Sequence, residues 1–321
     1  MTGGAATRRR AVVTGGSGFL GSHVCEALVT AGHPVTCVDN HVTGSRTNVA
    51  HLLDAAGFEL LEHDVSTGLD VSGDVGLVLH LASPASPPDY LRLPVQTMLV
   101  GSEGTRHALE LARSKGARFL MASTSEVYGD PEQHPQPETY WGNVNPVGPR
   151  AVYDEAKRFS EALCTAYRAE HGVDTTIARI FNTYGPRMRI DDGRVVPTFI
   201  QQALSGEPLT VAGDGSQTRS LCHVEDTTRG LLALLGSSHQ GPVNIGNPHE
   251  LSVRDIAAAV LQVTGSSSTL VHVDLPQDDP KLRCPDITLA RRLLGWEPRI
   301  PLREGLASTV AWFADRRRTS A

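Results

Sequence analysis

The N-terminal segment contains the feature that most constrains the fold: a β-branched run, closely spaced glycines and an apolar-periodic stretch, in that order. Ala11-Val12-Val13-Thr14 precedes Gly15-Gly16-Ser17-Gly18-Phe19-Leu20-Gly21, and apolar residues then recur at helical spacing through Ala31. This order predicts a strand, a tight turn and a helix whose N-terminal N–H groups face an anionic phosphate. By itself the pattern is weak, because a glycine-rich turn without a ligand has the same sequence.

A second predicted strand, residues 34–38, ends in Asp39. A carboxylate about 20 residues after such glycines accepts hydrogen bonds from the ribose hydroxyls of an adenosine and repels a 2′-phosphate. The two segments together predict a dinucleotide site that prefers NAD to NADP. Arg46 is the nearby cation that favours the opposite choice, and a simple turn role for Asp39 is the other alternative.

Further strands are predicted at the spacing of βα units. They cover residues 58–61, 77–81, 118–123 and 174–180, and a helix covers residues 95–115. The strand at 77–81 leads into a proline-rich loop, residues 82–88, which is either a rigid connector or a substrate contact at the carboxyl edge of the sheet. The alternation predicts an α/β fold with a doubly wound parallel sheet.

Composition excludes several classes of protein. A net charge of -6 over 321 residues argues against a nucleic-acid partner, and the run Arg8-Arg9-Arg10 is interpreted as a solvated tail. The five cysteines are scattered and the thirteen histidines lack metal-ligand spacing, so neither disulfides nor a metal site is expected. No signal core is present and no run approaches the roughly 18 apolar residues of a membrane span, so we expect a soluble, cytoplasmic protein.

The segment from Ala122 to Arg158 carries the candidate chemistry. Thr124-Ser125-Glu126 ends a predicted strand, and Tyr153 and Lys157 stand four residues apart in a predicted helix, residues 152–170, so that they share one face. An ammonium close to a phenol lowers the phenol pKa, which makes Tyr153 a candidate base. Without its context, Tyr-x-x-x-Lys would more often be an exposed helical pair.

These motifs together resemble the extended short-chain dehydrogenase/reductase family, in its nucleotide-sugar branch. The resemblance covers nearly the whole chain and implies a Rossmann domain over residues 8–185 and a smaller, discontinuous α/β substrate lobe over residues 186–315, some segments of which return to the Rossmann domain. It also implies tightly bound, recycled NAD, a UDP-sugar substrate, and a homodimer formed through the helices at 95–115 and 152–170. The segment 294–298 and the helix at 306–313 are expected to close the smaller lobe.

Within that branch, four motifs resemble those of the UDP-glucuronate decarboxylases, which make UDP-xylose. They are Gly129-Asp130-Pro131, Tyr140-Trp141-Gly142, Val144-Asn145-Pro146 and Tyr153-Asp154-Glu155. The related 4,6-dehydratases carry Asp where this chain has Ser125, and the 4-epimerases usually lack a carboxylate at the position of Glu126. One departure is Ala156, where the decarboxylases usually have glycine.

The implied activity is that of an NAD-dependent carboxy-lyase that oxidises carbon 4, releases carbon dioxide and re-reduces the ketone. A UDP-glucuronate 4-epimerase, or another nucleotide-sugar epimerase or dehydratase, is the nearest alternative. A non-catalytic NAD-sensing scaffold of the same fold is the remote alternative, and it is disfavoured because Tyr153 and Lys157 are both present.

The resemblance also implies roles for individual residues. Catalysis is expected of Thr124, Ser125, Glu126, Tyr153, Lys157 and Arg283. Cofactor binding is expected of Gly15, Gly18, Phe19, Leu20, Gly21, Asp39, Asn40, Asp64, Val65, Leu81 and Ala82, together with Tyr153 and Lys157. Substrate binding is expected of Ser86, Asn182, Arg187, Val195, Arg219 and Arg283, the last within a motif from Asp278 to Asp286. A turn role for Asn182, and surface solvation for Arg219 and Arg283, are the alternatives.

Overall fold

Short β-branched segments alternate with amphipathic helices along the chain. The computed structural model describes residues 8–274 and 282–320. The strands are β1 (Arg10–Thr14), β2 (Val35–Asp39), β3 (Phe58–Glu62), β4 (Val75–His80), β5 (Arg118–Thr124), β6 (Thr175–Ile180), β7 (Thr183–Tyr184), β8 (Leu209–Ala212), β9 (Thr218–Ser220), β10 (Cys222–His223), β11 (Pro242–Ile245), β12 (Glu250–Ser252) and β13 (Leu270–Val273). The helices are α1 (Phe19–Thr30), α2 (Pro87–Arg92), α3 (Pro94–Leu99), α4 (Thr105–Lys115), α5 (Ala151–His171), α6 (Val195–Ser205), α7 (Val224–Leu235), α8 (Val253–Thr264), α9 (Thr288–Leu294) and α10 (Leu302–Ser320).

Seven parallel strands form one sheet in the order β11-β6-β5-β4-β1-β2-β3. Alternate residues of β1 point to opposite faces, so Val13 packs with α1 and α7 while Val12 packs with α4 and α5. The chain reverses its direction of winding between β1 and β4, which opens a crevice at the carboxyl ends of these strands. The predicted doubly wound Rossmann sheet is confirmed.

A smaller apolar cluster lies beside the sheet and is built from α6, α8, α10 and the β8–β13 pair. Its fully buried side chains include Phe199, Ile256 and Phe313, and β9 pairs antiparallel with β12 at its edge. Trp296, which we expected in this lobe, instead packs against the sheet, where its Nε1 donates to the backbone oxygen of Asp226 at 3.0 Å. Its indole needs a deep apolar site with one acceptor, and the α7 face of the sheet provides both.

The basic run at the start of the chain is not a solvated tail. Arg10 is the first residue of β1, and Arg9 forms an ion pair with Asp74 at 2.8 Å and donates to the backbone oxygen of Val75. The interpretation from sequence was wrong because Arg9 holds the start of the first strand to the residues where β4 begins, while Arg10 forms an ion pair with Glu59 of β3 at 2.9 Å. None of the helices within residues 8–274 and 282–320 combines the length and the apolar character that a membrane span requires.

The helix predicted at residues 95–115 is α3 and α4 joined by a π-helical turn, Val100–Gly104. This turn brings Gly101 against α5, and a Cβ at Gly101 would lie only 2.6 Å from the Cβ of Ala156. The methyl group of Ala156 is therefore accommodated by a glycine on the opposing helix, and Ala156 does not line the cavity described below. The alanine at position 156, where the decarboxylases usually have glycine, therefore belongs to the contact between two helices and not to the cavity wall.

Candidate active site

A cavity of about 600 Å³ lies at the carboxyl edge of the sheet and extends to the smaller lobe. Its wall contains every residue for which the sequence predicted a role in catalysis, cofactor binding or substrate binding. The residues come from the carboxyl ends of β1 to β6 and the loops that follow them, from α1, α5 and α6, and from β9 and residue 283. The fold thus brings the predicted set together, while the role of each residue remains a prediction.

The glycine-rich turn between β1 and α1 forms one end of the cavity, and glycines occupy the positions where this turn approaches other backbone segments. Gly15 has φ +69° and a Cβ there would lie 2.6 Å from the backbone nitrogen of Ala82, in the loop after β4. A Cβ at Gly21 would collide with the backbone oxygen of Gly15, so α1 packs directly against the turn. Such a bare, positively polarised helix start is suited to a pyrophosphate.

Asp39 ends β2 beside this turn and is buried. Its carboxylate accepts from the backbone nitrogens of Ser17 at 3.0 Å and His41 at 2.8 Å, which orients it, and the Nδ1 of the His41 ring lies 3.9 Å away. Next to it, the Nδ2 of Asn40 donates to Asp64 at 3.2 Å. These residues fit the adenosine half of NAD, and Arg46, the feature that favoured NADP, is exposed and lies outside the cavity wall.

Tyr153, Lys157 and Thr124 form the middle of the cavity, and all three are buried. The Nζ of Lys157 donates to the backbone oxygen of Ala122 at 3.0 Å and lies 5.8 Å from the centre of the Tyr153 ring. Burial lowers the pKa of Lys157 to about 8. Burial also raises the pKa of Tyr153 to about 12, against a lowering by its hydrogen bond with Thr124.

The prediction that the pKa of Tyr153 is lowered next to Lys157 is therefore wrong when only the groups of the protein itself act on the phenol. The two side chains share a face, as the spacing predicted, but loss of hydration costs the phenolate more than its neighbours restore. The ring also stacks on Tyr90, with centroids 5.2 Å apart and planes 8° from parallel. Tyr153 is consequently a rigid phenol whose ionised form is disfavoured by its own burial.

The far end of the cavity is built from charges. Glu126 forms ion pairs with Arg150 at 2.6 Å and Arg283 at 3.2 Å, and Arg283 also donates to the backbone oxygen of Ser125 at 2.5 Å. Burial by itself would raise the pKa of Glu126, but Arg283 and Arg150 outweigh it and hold that pKa at about 2. Asp154 lies close to the same charges, and burial together with Glu126 raises its pKa to about 7. This end therefore holds one fully ionised carboxylate between two guanidinium groups.

The predicted substrate residues differ in how far other groups of the chain engage them. Ser86 caps α2 and its hydroxyl donates to Asp89 at 2.6 Å, which matches the rigid-connector alternative for the proline-rich loop. Arg187 has φ +68° and is paired with Glu26 of α1, and no described residue forms a hydrogen bond with its buried Nη1. Arg219 lies in β9 and donates to the backbone oxygen of Thr218 at 2.8 Å.

The two other predicted substrate residues, Asn182 and Val195, also line the cavity. Asn182 lies just after β6, and Val195 is the first residue of α6. The motif from Asp278 to Asp286 is described only in part, because residues 278–281 lie outside the described ranges. Its Arg283 is only 2% exposed, so surface solvation is excluded for that side chain.

A family model described as the NAD dependent epimerase/dehydratase family matches residues 11–246. The chain belongs to that family.

Two relatives are identical to this chain at about half of the aligned residues. UDP-glucuronic acid decarboxylase 1 of Xenopus tropicalis is 52% identical over 306 residues, which are 95% of this chain and 72% of that protein. UDP-glucuronic acid decarboxylase 1 of Arabidopsis thaliana is 50% identical over 309 residues, 96% of this chain and 71% of that protein.

A UDP-glucuronic acid 4-epimerase from Bacillus cereus, solved in complex with UDP-glucuronic acid and NAD, superposes with a TM-score of 0.86. It is 28% identical and the match covers 96% of this chain and 99% of that one. This family member has a different activity from the decarboxylases, so the fold alone does not separate the two reactions. The side chains in the cavity must do so.

Arg150 lines the cavity of this chain, and sequence reasoning did not identify it as a site residue. It stands at the N-terminal cap of α5, where a cation opposes the helix dipole. A cation at that position needs a compensating partner, and Glu126 provides it. A basic residue directly before a predicted helix, as in Gly148-Pro149-Arg150, could therefore have identified Arg150 from the sequence. Tyr90 and Asp89 were also missed. The cap and prolines at Ser86-Pro87-Pro88 indicate the start of a helix, but they do not show how α2 packs against α5.

Proposed function

We propose that this protein is a UDP-glucuronate decarboxylase, which converts UDP-glucuronate to UDP-xylose and carbon dioxide with recycled NAD. The observation that carries this proposal is Glu126, held ionised between Arg150 and Arg283 in the same cavity as Tyr153 and Lys157. The decarboxylases that share about half of the sequence support it.

When bound, NAD would supply a hydride acceptor for the oxidation of carbon 4 and a hydride donor for the final reduction. The glycine turn and Asp39 would hold its adenosine and pyrophosphate. Tyr153 takes the proton of the carbon 4 hydroxyl, and the buried ammonium of Lys157 together with the Thr124 hydroxyl stabilises the phenolate formed. Because the cofactor is regenerated in each cycle, we expect it to stay tightly bound.

Oxidation has to precede decarboxylation because a ketone at carbon 4 is β to the carboxylate. When the bond between carbon 5 and the carboxylate breaks, its electron pair enters an enolate that this ketone stabilises. Carbon dioxide leaves, a proton is added at carbon 5, and the ketone is reduced again. With a pKa of about 2, Glu126 is ionised near neutral pH, so we infer that Glu126 and Arg283 orient the proton donor for carbon 5.

The charges at this end also suit the substrate. Arg150 and Arg283 place two positive charges around the single carboxylate of Glu126, which leaves an excess of positive charge for the carboxylate of UDP-glucuronate. Arg187, whose buried Nη1 has no hydrogen-bond partner among the described residues, and Arg219 are proposed to hold the diphosphate. Ser125, Ser86, Asn182 and Val195 are proposed to shape the sugar and uridine sites.

An assay of the purified protein with UDP-glucuronate and NAD tests the proposal. Release of carbon dioxide and formation of UDP-xylose are expected. Formation of UDP-galacturonate would instead favour the 4-epimerase, whose fold is shared. The absence of any turnover with UDP-glucuronate would favour the NAD-sensing scaffold.

We also propose that the protein is a homodimer. Helices α3 and α5 expose large apolar side chains, among them Val95 at 64%, Met98 at 47% and Phe159 at 50%. A second copy of the same surface would bury them at little cost in charge. Sedimentation should give the mass of two chains at assay concentration, and a monomer would contradict this proposal.

The division into a Rossmann domain over residues 8–185 and a substrate lobe over residues 186–315 is retained as a proposal, with α7, β11 and α9 as the segments that return to the first. A cytoplasmic location is proposed because all five cysteines are free thiols and buried. Cell fractionation tests it.

A further inference from the structure

His134, Glu250 and Cys284 come together outside the cavity although they are far apart in the sequence. One ligand atom of each, a nitrogen, an oxygen and a sulphur, lies within 4.8 Å of the other two. The Nε2 of His134 is 2.8 Å from Glu250, and the other carboxylate oxygen of Glu250 accepts from the hydroxyl of Thr218 at 2.6 Å. None of the three lines the cavity.

A buried hydroxyl points to the same place. Ser220 is opposite Glu250 in the β9–β12 ladder and is fully buried. Its Oγ interacts with the Cys284 thiol and has no other hydrogen-bond partner among the described residues. A thiol is only a weak hydrogen-bonding group, so this buried hydroxyl retains the capacity for a further polar partner next to the three potential ligands.

We propose that His134, Glu250 and Cys284 bind a divalent cation of the zinc class. Imidazole, carboxylate and thiolate are together the ligand types that zinc takes in proteins, whereas magnesium and calcium take oxygen. Thr218 holds the second oxygen of Glu250, as outer partners of metal ligands do. The cation would deprotonate Cys284, and the thiol proton would leave to solvent.

The geometry needs only a small adjustment. Bonds of about 2.0–2.3 Å place tetrahedral ligand atoms roughly 3.5 Å apart, so the widest separation has to contract by about 1 Å. The side chain of His134 is 38% exposed and that of Glu250 is 27% exposed, which gives the imidazole freedom to move and gives the ion an entry path. Cys284, only 5% exposed, is the fixed ligand.

A cation at this position would join three segments that also build the charged end of the cavity. Cys284 directly follows Arg283, Glu250 is in the strand that pairs with Arg219, and His134 lies in the loop after Glu126. Binding there should therefore stabilise the folded protein by mass action, and it should do so without occupying the substrate cavity.

The test is a titration of the metal-free, full-length protein with Cd²⁺, followed by the ultraviolet charge-transfer band of a thiolate bound to cadmium. We expect one bound ion per chain and a band that Zn²⁺ removes by competition. Cys284→Ser should abolish the band, and His134→Gln should weaken binding by about tenfold or more, because loss of even an outer partner costs about 10–100-fold in affinity.

Two matched variants serve as controls. His249→Gln changes an exposed imidazole next to Glu250, and Cys222→Ser changes another buried thiol; both should bind Cd²⁺ as the unaltered protein does. The same ion should raise the thermal midpoint of the unaltered protein and not that of Cys284→Ser. Retention of the band in Cys284→Ser, unchanged affinity in His134→Gln, or no bound ion would overturn the proposal. If Cys284→Ser fails to fold, the surface variant His134→Gln decides the question.

Discussion

At the middle of the cavity, neither Tyr153 nor Lys157 forms an ion pair with another described residue, and burial moves the pKa of each towards its neutral form. At the far end, Glu126 is almost as enclosed, yet two guanidinium groups move its pKa in the opposite direction, to about 2. The comparison shows that burial alone does not decide the charge of a group in this site. What decides it is whether an opposite charge lies within hydrogen-bonding distance.

This difference matches two kinds of chemistry. Burial raises the pKa of the Tyr153 phenol to about 12 and lowers that of the Lys157 ammonium to about 8, so both are shifted towards their uncharged forms. Groups of this kind are suited to exchange a proton with a substrate hydroxyl. An ionised carboxylate fixed between arginines is suited to orient other groups and to hold charge. The predictions below test the two ends separately, beginning with the largest expected effect.

Changing Tyr153 to Phe should lower turnover by about 10²–10⁴-fold, the scale of a lost acid-base group, with little change in KM. The measurement is UDP-xylose formation under saturating substrate. Tyr167→Phe is the matched control, because Tyr167 is on the same helix and its hydroxyl contacts only Glu110. A Tyr153→Phe variant with near-normal turnover would remove Tyr153 from the mechanism.

Changing Glu126 to Gln should slow release of carbon dioxide by about 10²-fold while oxidation of carbon 4 continues, because Arg150 and Arg283 lose a charge-assisted partner worth up to about 3 kcal/mol and are no longer held in position. A single-turnover experiment should then show reduced cofactor accumulating before carbon dioxide appears. Glu155→Gln, which changes a carboxylate on α5 outside the cavity wall, should behave as the unaltered protein. Equal slowing of both steps in Glu126→Gln would mean that the two ends of the cavity do not act separately.

Changing Arg150 to Ala should reduce kcat/KM by about tenfold, because a charge-assisted hydrogen bond worth about 1.5 kcal/mol is lost. Lys at this position should restore part of the activity through its charge, without the planar geometry of the guanidinium. Arg113→Ala, which removes an exposed ion pair with Glu110, should have no effect on kcat/KM. Unchanged kcat/KM in Arg150→Ala would leave Arg283 as the only necessary cation at Glu126.

The last prediction concerns stability instead of turnover, and it tests Asp154. Its folded pKa of about 7 lies above the ordinary value of about 4, so the folded state binds the proton more tightly than the unfolded state does. The unaltered protein should therefore lose stability relative to Asp154→Asn as pH rises from about 4 to about 7, and no further above that. Denaturant unfolding of both proteins across this range measures the difference. A difference independent of pH would show that Asp154 does not titrate in this window.

Much of the fold and the membership of the cavity could be predicted from the sequence. The strands, glycine turn and helices follow from local periodicity and turn chemistry, and the ends of parallel strands must share one edge of the sheet. The π-helical turn that accommodates Ala156 could not be predicted, because it depends on the contact between Gly101 and another helix. The sign of the Tyr153 shift was predicted wrongly for a similar reason, since sequence spacing contains no measure of burial.

The sequence by itself determined the order of the elements and placed Thr124, Glu126 and Tyr153 where strands end and a helix begins. Short-range backbone preferences are sufficient for that. Only the tertiary structure decided which side chains meet. It brings Arg150 and Arg283 to the carboxylate of Glu126, and it brings His134 and Cys284 close to the carboxylate of Glu250. Interactions of this kind act over a few ångströms of space and are independent of separation along the chain, so spacing rules for metal ligands could not reveal the second cluster.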